Sequence, residues 1–534
     1  LAETFFRESP GERRGSFRVV MNDLYRLENK QVENVFSFDE EVLKKALKNI
    51  YGKEFHPMTD IEENLFEATW KTMNNATDKG FGARKADDPD YDFYREIRAN
   101  NAVFAAFKVH RAQNDMAALL LDENGNLRPF EQWLKLVMPI ADHQMVHWLR
   151  TEYDTAVIRA HQAADWRQFE REKDILPNLK WMPSTSVHPG ADHRVFWGTI
   201  RPVDDPFWNE HRPGDRWNCK CTLSSTDEAP TAVPGSGPDN KPQPGLENNP
   251  GKDAKLFSDK HPYQKDAHRG AKKTVDKLTL RIKEMIAEMS DNLTLEEKEA
   301  IARHNLQMEK TLGITKGKPM TVEEADKQNA NPKHKEQFIP DPQGLYQDKQ
   351  GNKFSKNPDF KPADRQYGIN CQTCAPAYAL RLKGFDITAK GNTPGSKLDY
   401  LSRGTNAWEV WKNIDGTQAK HTSITGWMAS KQYMKMTPKR YREFFEETCK
   451  DEGVYELSIG WKSGGGHATI LQRFNDGELR YIEPQHDNSK GSVNEWKDVR
   501  YLCESGQANP HYCRGIMRID NKLFNTDFIE IFDK

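Results

Sequence analysis

Four side chains in the last third of the chain could carry out nucleophilic chemistry on an amide: Cys371 or Cys374, then His467, then Glu483. A thiol nucleophile needs a base about 3–4 Å away and a third group that orients the base. A helix N-terminus helps, because its partial positive charge favours the thiolate. The stretch "INCQTCAPAYALRLKGFDIT" offers two cysteines at or just before such a helix start.

The elements that must position these groups can be read from the same stretch. Cys374 to Lys383 has helical character, and Gly384 is its expected stop. Pro376 makes the helix start ambiguous. With Asn370 as N-cap, Pro376 falls in the second turn and kinks the helix; with Thr373 as N-cap it sits in the first turn, where proline fits. The first choice puts Cys371 nearest the helix dipole, and the second puts Cys374 there. Downstream, "SGGGHATI" sets His467 after three glycines at the start of a strand, leaving room for a substrate backbone beside the imidazole. "NDG" between two apolar runs marks a hairpin turn. The partner strand, "RYIEPQ", then carries Glu483 and Gln485 within reach of the His467 ring. The order of cysteine helix, histidine strand and acid strand is papain-like. Three other readings stay open for the cysteines. One is a redox Cys-x-x-Cys, although no βαβ pattern surrounds it. The second is zinc, with Cys503 and Cys513 as further ligands, and the third is a pair of inert core thiols.

The segments "MTVEEADKQNANPKH", "YGINCQTCAPAYALRLKGFDITA", "GGGHATIL" and "YIEPQ" resemble the papain-fold toxin family of glutamine deamidases, over about residues 313–490. The resemblance implies Cys371 as nucleophile, His467 as base and Glu483 as orienting acid, with Gln485 nearby. It implies attack on a glutamine side-chain amide, loss of ammonia and hydrolysis of the thioester, with backbone N–H groups at the helix start holding the oxyanion. Glu483 stands where the family has Asp, which moves the carboxylate by about an ångström, a displacement that can be costly in rate.

A second constellation lies upstream. Cys219, Cys221, His188, His193 and His211 could bind zinc, but Cys219-Lys220-Cys221 lacks the paired C-x-x-C form, and no metal is assigned. The bland alternative is a loop-rich subdomain stapled by Trp197, Phe207, Trp208 and Trp217. "DHRVFWGTIRPVDDPFWNEHRPGDRWNCKC", with "WLRTEYDTAVIRAHQAADW" before it, resembles the Mu F-like phage head morphogenesis family over about residues 20–262. Lys220 replaces the usual Arg and Gly214 the second Pro. The resemblance implies a minor capsid protein near the portal, in a family whose members often carry a C-terminal toxin.

The bulk properties fit several domains. The chain has 534 residues, 36% hydrophobic and 30% charged, with a net charge of −2. That near-neutral balance gives no global field for nucleic acid or membrane surfaces, and no sequence-specific nucleic-acid binding is expected. No uninterrupted apolar run reaches the ~18 residues of a membrane helix; "FAAFKVHRAQNDMAALLL" is broken by charges. Seven cysteines do not make a disulfide framework, and a reducing compartment is expected. The chain opens at Leu1 without a Met or a signal-like segment and is read as a fragment or a processed product.

The expected fold class is α+β multidomain. Residues 1–180 form the helical part of the Mu F-like domain. In it Leu149, Tyr153, Ala156, Ala160 and Ala163 mark a face with small residues for close approach. Residues 181–223 are its His/Trp/Cys-rich end, with short strands and loops. Residues 224–270 are a Pro/Gly-rich linker or a strap, and 271–312 a helical connector broken at Asn292 and Leu293, with a capping pattern from Thr294 to Glu297. Residues 313–534 are the papain-like α+β domain. The expected protein is a phage or prophage head component with a cysteine-dependent deamidase, without cofactors. Its expected partners are portal and capsid proteins and a host or competitor protein substrate, and its places the virion and the bacterial host cytoplasm. The alternatives are a purely structural head protein with an inactive tail domain, and a papain-like cysteine protease.

Overall fold

The computed structural model describes residues 21, 39–186, 191–235, 237–348, 351–461, 464–486, 491–492 and 515–534. The chain divides into two compact units, Leu1–Lys283 and Glu284–Lys534. The fold class is α+β.

The first unit is built on five long helices: α1 (Glu40–Tyr51), α2 (Glu63–Gly80), α3 (Tyr91–Ala117), α4 (Phe130–Asp142) and α5 (Leu149–Glu172). α3 is apolar and charged by turns and is buried on all sides through its second half. The charges that break its apolar run are paired inside: Lys108 Nζ lies 2.9 Å from Glu152 Oε2 and donates to Tyr263 Oη, and Arg111 pairs with Asp115. Buried charges are tolerated only when matched in this way. α4 and α5 run on through a π-helical turn, His143–Trp148. That turn follows Pro139, which removes a helical N–H donor. On α5, Leu149, Ala156, Ala160 and Ala163 are buried as expected, while Tyr153 is only half-buried. The small residues do allow close approach: at Gly80 of α2 any side chain would run into the Val157 carbonyl and Ala160.

After α5 come three short strands, β1 (Asn178–Met182), β2 (Ile200–Pro202) and β3 (Thr222–Thr226), in an antiparallel sheet of order β2-β1-β3. Trp181, Phe196, Phe207, Trp208 and Cys221 form the core beside it. The Pro/Gly-rich segment that follows is a strap rather than a free linker. Leu246, Leu256, Phe257 and Tyr263 are buried in the first unit. The α5 side chain of Arg159 ties it down, donating to the carbonyls of Leu256 (2.6 Å), Gly214 (2.6 Å) and Asn248 (2.9 Å).

The helical stretch from Ala271 forms two helices, Ala271–Ala287 and α6 (Leu295–Leu312), with the break as expected. Thr294 and Glu297 make the reciprocal capping box. Residues 284–312 are not a separate connector. Met308 and Leu312 of α6 belong to the core of the second unit, because their apolar face needs a partner and finds it there. The polar bridge before the cysteines contains a small antiparallel sheet of Phe338–Pro340, Tyr346–Gln347 and Lys353–Lys356, largely exposed.

The second unit sets α7 (Cys371–Leu382) against one face of a six-stranded antiparallel sheet, while the helix Pro438–Thr448 packs Tyr441, Phe444 and Phe445 on the other. The strands are β4 (Thr422–Ser423), β5 (Gly453–Gly460), β6 (Gly466–Arg473), β7 (Leu479–Ile482), β8 (Gly491–Ser492) and β9 (Gly515–Arg518), in the order β8-β7-β6-β5-β9-β4. β6 and β7 are joined by the expected hairpin, in which Gly477 takes φ +87°. α7 begins at Cys371, with Asn370 as N-cap, and ends before Gly384, whose φ of +100° stops it. The alternative start at Thr373 is therefore wrong. Pro376 sits in the second turn, and the helix carries it because Thr373 and Cys374 both donate to the Asn370 carbonyl (2.9 and 3.1 Å) and anchor the first turn.

Candidate active site

Cys371 occupies the first position of α7, the point nearest the positive end of the helix. Its side chain is partly exposed, whereas Cys374, one turn on, is fully buried in the core beneath the helix. Burial pushes the Cys374 thiol well above its ordinary pKa, and the neighbouring Cys371 and Glu483 push it the same way. The two cysteines thus have different surroundings, and only Cys371 faces the histidine.

His467 is the second residue of β6. The turn before it is tight: Gly464 donates to the Trp461 carbonyl, and Trp461 to that of Gly465. Gly464 and Gly465 take φ of +92° and +77°, which L side chains rarely adopt. The imidazole lies near-parallel to the rings of Trp461 and His486, with ring centroids 6.4 and 6.1 Å away and planes within 18° and 28° of parallel.

Glu483 follows β7. The β6–β7 register pairs Ile470 with Ile482 and Leu471 with Tyr481. Continued by one residue, it sets Glu483 opposite Thr469, on the same face as His467, a diagonal distance that side chains span. His467 Nε2 lies 2.6 Å from Glu483 Oε2. The Glu483 carboxylate, 2% exposed, also accepts from the Tyr481 hydroxyl and from the Gln485 N–H at 3.1 Å. Burial alone would lower the pKa of the His467 ring, but the Glu483 carboxylate and the Cys371 thiol override it and raise it to about 10. Burial likewise opposes the Glu483 charge, yet the His467 imidazolium and the Tyr481 hydroxyl hold the carboxyl below its usual range. The pair is an ion pair at neutral pH, and with Nε2 on Glu483 the ring's Nδ1 is left for Cys371.

Gln485 takes a supporting position. With its oxygen toward donors and its nitrogen toward an acceptor, its amide accepts from the backbone N–H groups of Cys371 and Asn370 (both 2.9 Å) and donates to His486 Nε2 (2.8 Å). The Cys371 N–H, an expected oxyanion donor, is then already engaged. Beneath it lies a buried network that the sequence reading did not assign. Asn370 Nδ2 donates to Asn331 Oδ1 and to the Lys390 carbonyl (both 3.0 Å), and Asn331 donates to the Tyr367 carbonyl (3.0 Å). Spacing gave no sign of Trp461, His486 or Asn331, and of Asn370 only its place as N-cap. Tyr481 could have been found, since it lies two residues before Glu483 on a strand and so shares its face. Cys503 and Cys513, the other candidate zinc ligands, lie outside the described residues.

In the first unit the residues of the other constellation also converge, in part. The ligand atoms of His193, Cys219 and Cys221 all lie within 4.8 Å of one another. His193 Nδ1 is 3.2 Å from Cys219 Sγ, and its Nε2 is 2.6 Å from Asp215 Oδ1. His211 is buried against Phe196 and does not join them, and His188 lies outside the described residues.

Comparison with known proteins bears on this first unit. Residues 128–224 match the family model described as "Phage Mu protein F like protein". Over 80 residues the chain is 30% identical to the Mu-like prophage FluMu F protein of Haemophilus influenzae. That alignment covers 15% of this chain and 19% of the relative, so the chain spans about a fifth of the relative's length. No solved structure matches the chain. The matched segment is narrower than the resemblance over residues 20–262 implied, and it runs from the loop before α4 to β3. Residues 128–224 of this chain are thus similar to the Mu F-like family.

Proposed function

We propose that the chain is a phage or prophage head protein whose second unit is a cysteine-dependent protein-glutamine deamidase. The head role rests on the Mu F-like domain, and portal and capsid proteins are its partners there. The chain would travel in the virion and act on a protein in the cytoplasm of the recipient bacterium. None of the described helices is long and apolar enough to cross a membrane.

The observation that carries the enzymatic reading is the ordered contact of Cys371, His467 and Glu483 at a helix N-terminus. In this reaction the Cys371 thiolate attacks the side-chain amide carbon of a glutamine. The oxyanion forms at the start of α7, where the positive end of the helix dipole stabilises it. His467, protonated through Nδ1, gives its proton to the departing nitrogen, and ammonia leaves a thioester on Cys371. Water, deprotonated by His467, then cleaves the thioester to glutamate and the free thiol. Glu483 holds the ring in place throughout, and Gln485 and Asn370 fix the cysteine backbone.

The test is ammonia release from bacterial proteins by the full chain, with mass spectrometry of the products. Glutamine-to-glutamate conversion that Cys371→Ala abolishes supports the reading. Cleaved peptide bonds would replace it with a protease, and substrates left unchanged by unmodified chain whose Cys371 proves reactive in a separate sample would exclude both.

A further inference from the structure

We propose that His193, Cys219 and Cys221 hold a zinc(II) ion in the Mu F-like domain. The three donors come from separate places: His193 from a 3-10 turn, and the two cysteines from the loop that enters β3. Their ligand atoms lie within 4.8 Å of one another, compatible with the edges of a tetrahedron whose Zn–S bonds are about 2.3 Å and Zn–N bonds about 2.0–2.1 Å.

Two features beyond the cluster point to a bound cation. The first is Asp215, fully buried and 2.6 Å from His193 Nε2. It fixes the tautomer that leaves Nδ1 as an acceptor facing the sulfurs, which is the carboxylate–histidine arrangement that supports metal-ligating imidazoles. The second is a pair of indoles. The Nε1–H groups of Trp181 and Trp197 are buried without a hydrogen-bond partner in the aromatic core that also holds Cys221, and the Trp181 ring meets His193 edge-on at 5.1 Å. Buried N–H donors left unpaired in the core that holds Cys221 suit a thiolate there, the form in which cysteine binds metal. Two soft sulfurs with one imidazole favour zinc over the hard cations. Among the described residues no fourth donor joins the three, so water takes the fourth position, on the side where Cys219 is partly exposed. The ion would pin the 3-10 turn to β3 across the aromatic core.

The experiment is metal analysis of the full chain purified without chelator, followed by replacement of zinc with cobalt(II). The expected result is ~1 zinc per chain and, with cobalt, a sulfur-to-metal charge-transfer band with the strong visible absorption of a tetrahedral site. Cys219→Ser and Cys221→Ser should remove the band, and Cys371→Ala should keep it. Asp215→Asn keeps all three ligands and should weaken binding by ~10–100-fold, which separates metal loss from unfolding. Zinc far below one per chain, together with a cobalt titration of the wild-type chain that lacks the band, would overturn the proposal. So would a band that survives loss of both cysteines.

Discussion

His467 Nε2 sits 2.6 Å from the Glu483 carboxylate, so the ring presents its other nitrogen to Cys371. The extra methylene of Glu483 relative to Asp is therefore absorbed, not wasted: from the end of β7 the longer side chain reaches the ring diagonally. Glu483→Asp should retract the carboxylate by about 1 Å and lower turnover by ~10-fold or more with little change in KM. Glu483→Gln keeps the reach but removes the charge. It should cost more than Glu483→Asp, and steady-state kinetics of the three proteins give the order.

The ion pair has a pH signature. The folded state holds the His467 proton more tightly than the unfolded chain, since its pKa is raised from 6.5 to about 10. Its contribution to stability is complete below about pH 6.5 and is lost as pH rises through about 10. Glu483 is lowered from 4.5, so its contribution is present above that value and is lost as pH falls through the folded pKa. Denaturant midpoints of wild-type chain and Glu483→Gln should differ most between these limits and converge toward high pH. A difference that grows above pH 10 would contradict the ion pair.

Cys374 is a packing residue here. It is fully buried among Ala375, Tyr378 and Ile470, and its thiol is held neutral by burial. Cys374→Ala should lower stability by ~1 kcal/mol and leave the reaction intact, whereas Cys371→Ala should abolish it with stability nearly unchanged. Thermal melts beside activity assays would show whether the two effects separate.

Arg159 should govern the strap of the first unit. It is fully buried and its guanidinium serves four separate backbone carbonyls, those of Leu256, Gly214, Leu246 and Asn248. Arg159→Met removes the donor of the Leu256 and Gly214 carbonyls, while Arg212 still donates to those of Leu246 and Asn248, and should destabilise the unit by ~3 kcal/mol or more. Limited proteolysis should then cut within residues 240–260, where the wild-type chain resists.

The parts of this fold that were legible in the sequence are those with local causes. The Thr294–Glu297 capping box, the glycine stop at Gly384 and the Asn475-Asp476-Gly477 hairpin each depend on a few adjacent residues, and each forms as expected. The start of α7 was ambiguous because local helix chemistry favours proline in the first turn. What decides it is distant: Asn331 and Gln485 grip Asn370 and the Cys371 backbone from other segments. The small sheet within the polar bridge was missed because its strands bury little and so carry no apolar alternation. Likewise the convergence of His193 with Cys219 and Cys221 depends on how β1, β2 and β3 pair, which spacing alone does not encode.

If Cys371 is a nucleophile activated by His467, its thiol reacts with electrophiles at a pH where ordinary thiols do not. The full chain is treated with iodoacetamide at about pH 6, where an ordinary thiol of pKa about 8.5 is barely ionised, and the alkylated cysteines are mapped by mass spectrometry. The expected result is fast labelling confined to Cys371 and lost in His467→Ala. Slow, even labelling of all the cysteines, or fast labelling of Cys371 that persists without His467, would contradict it.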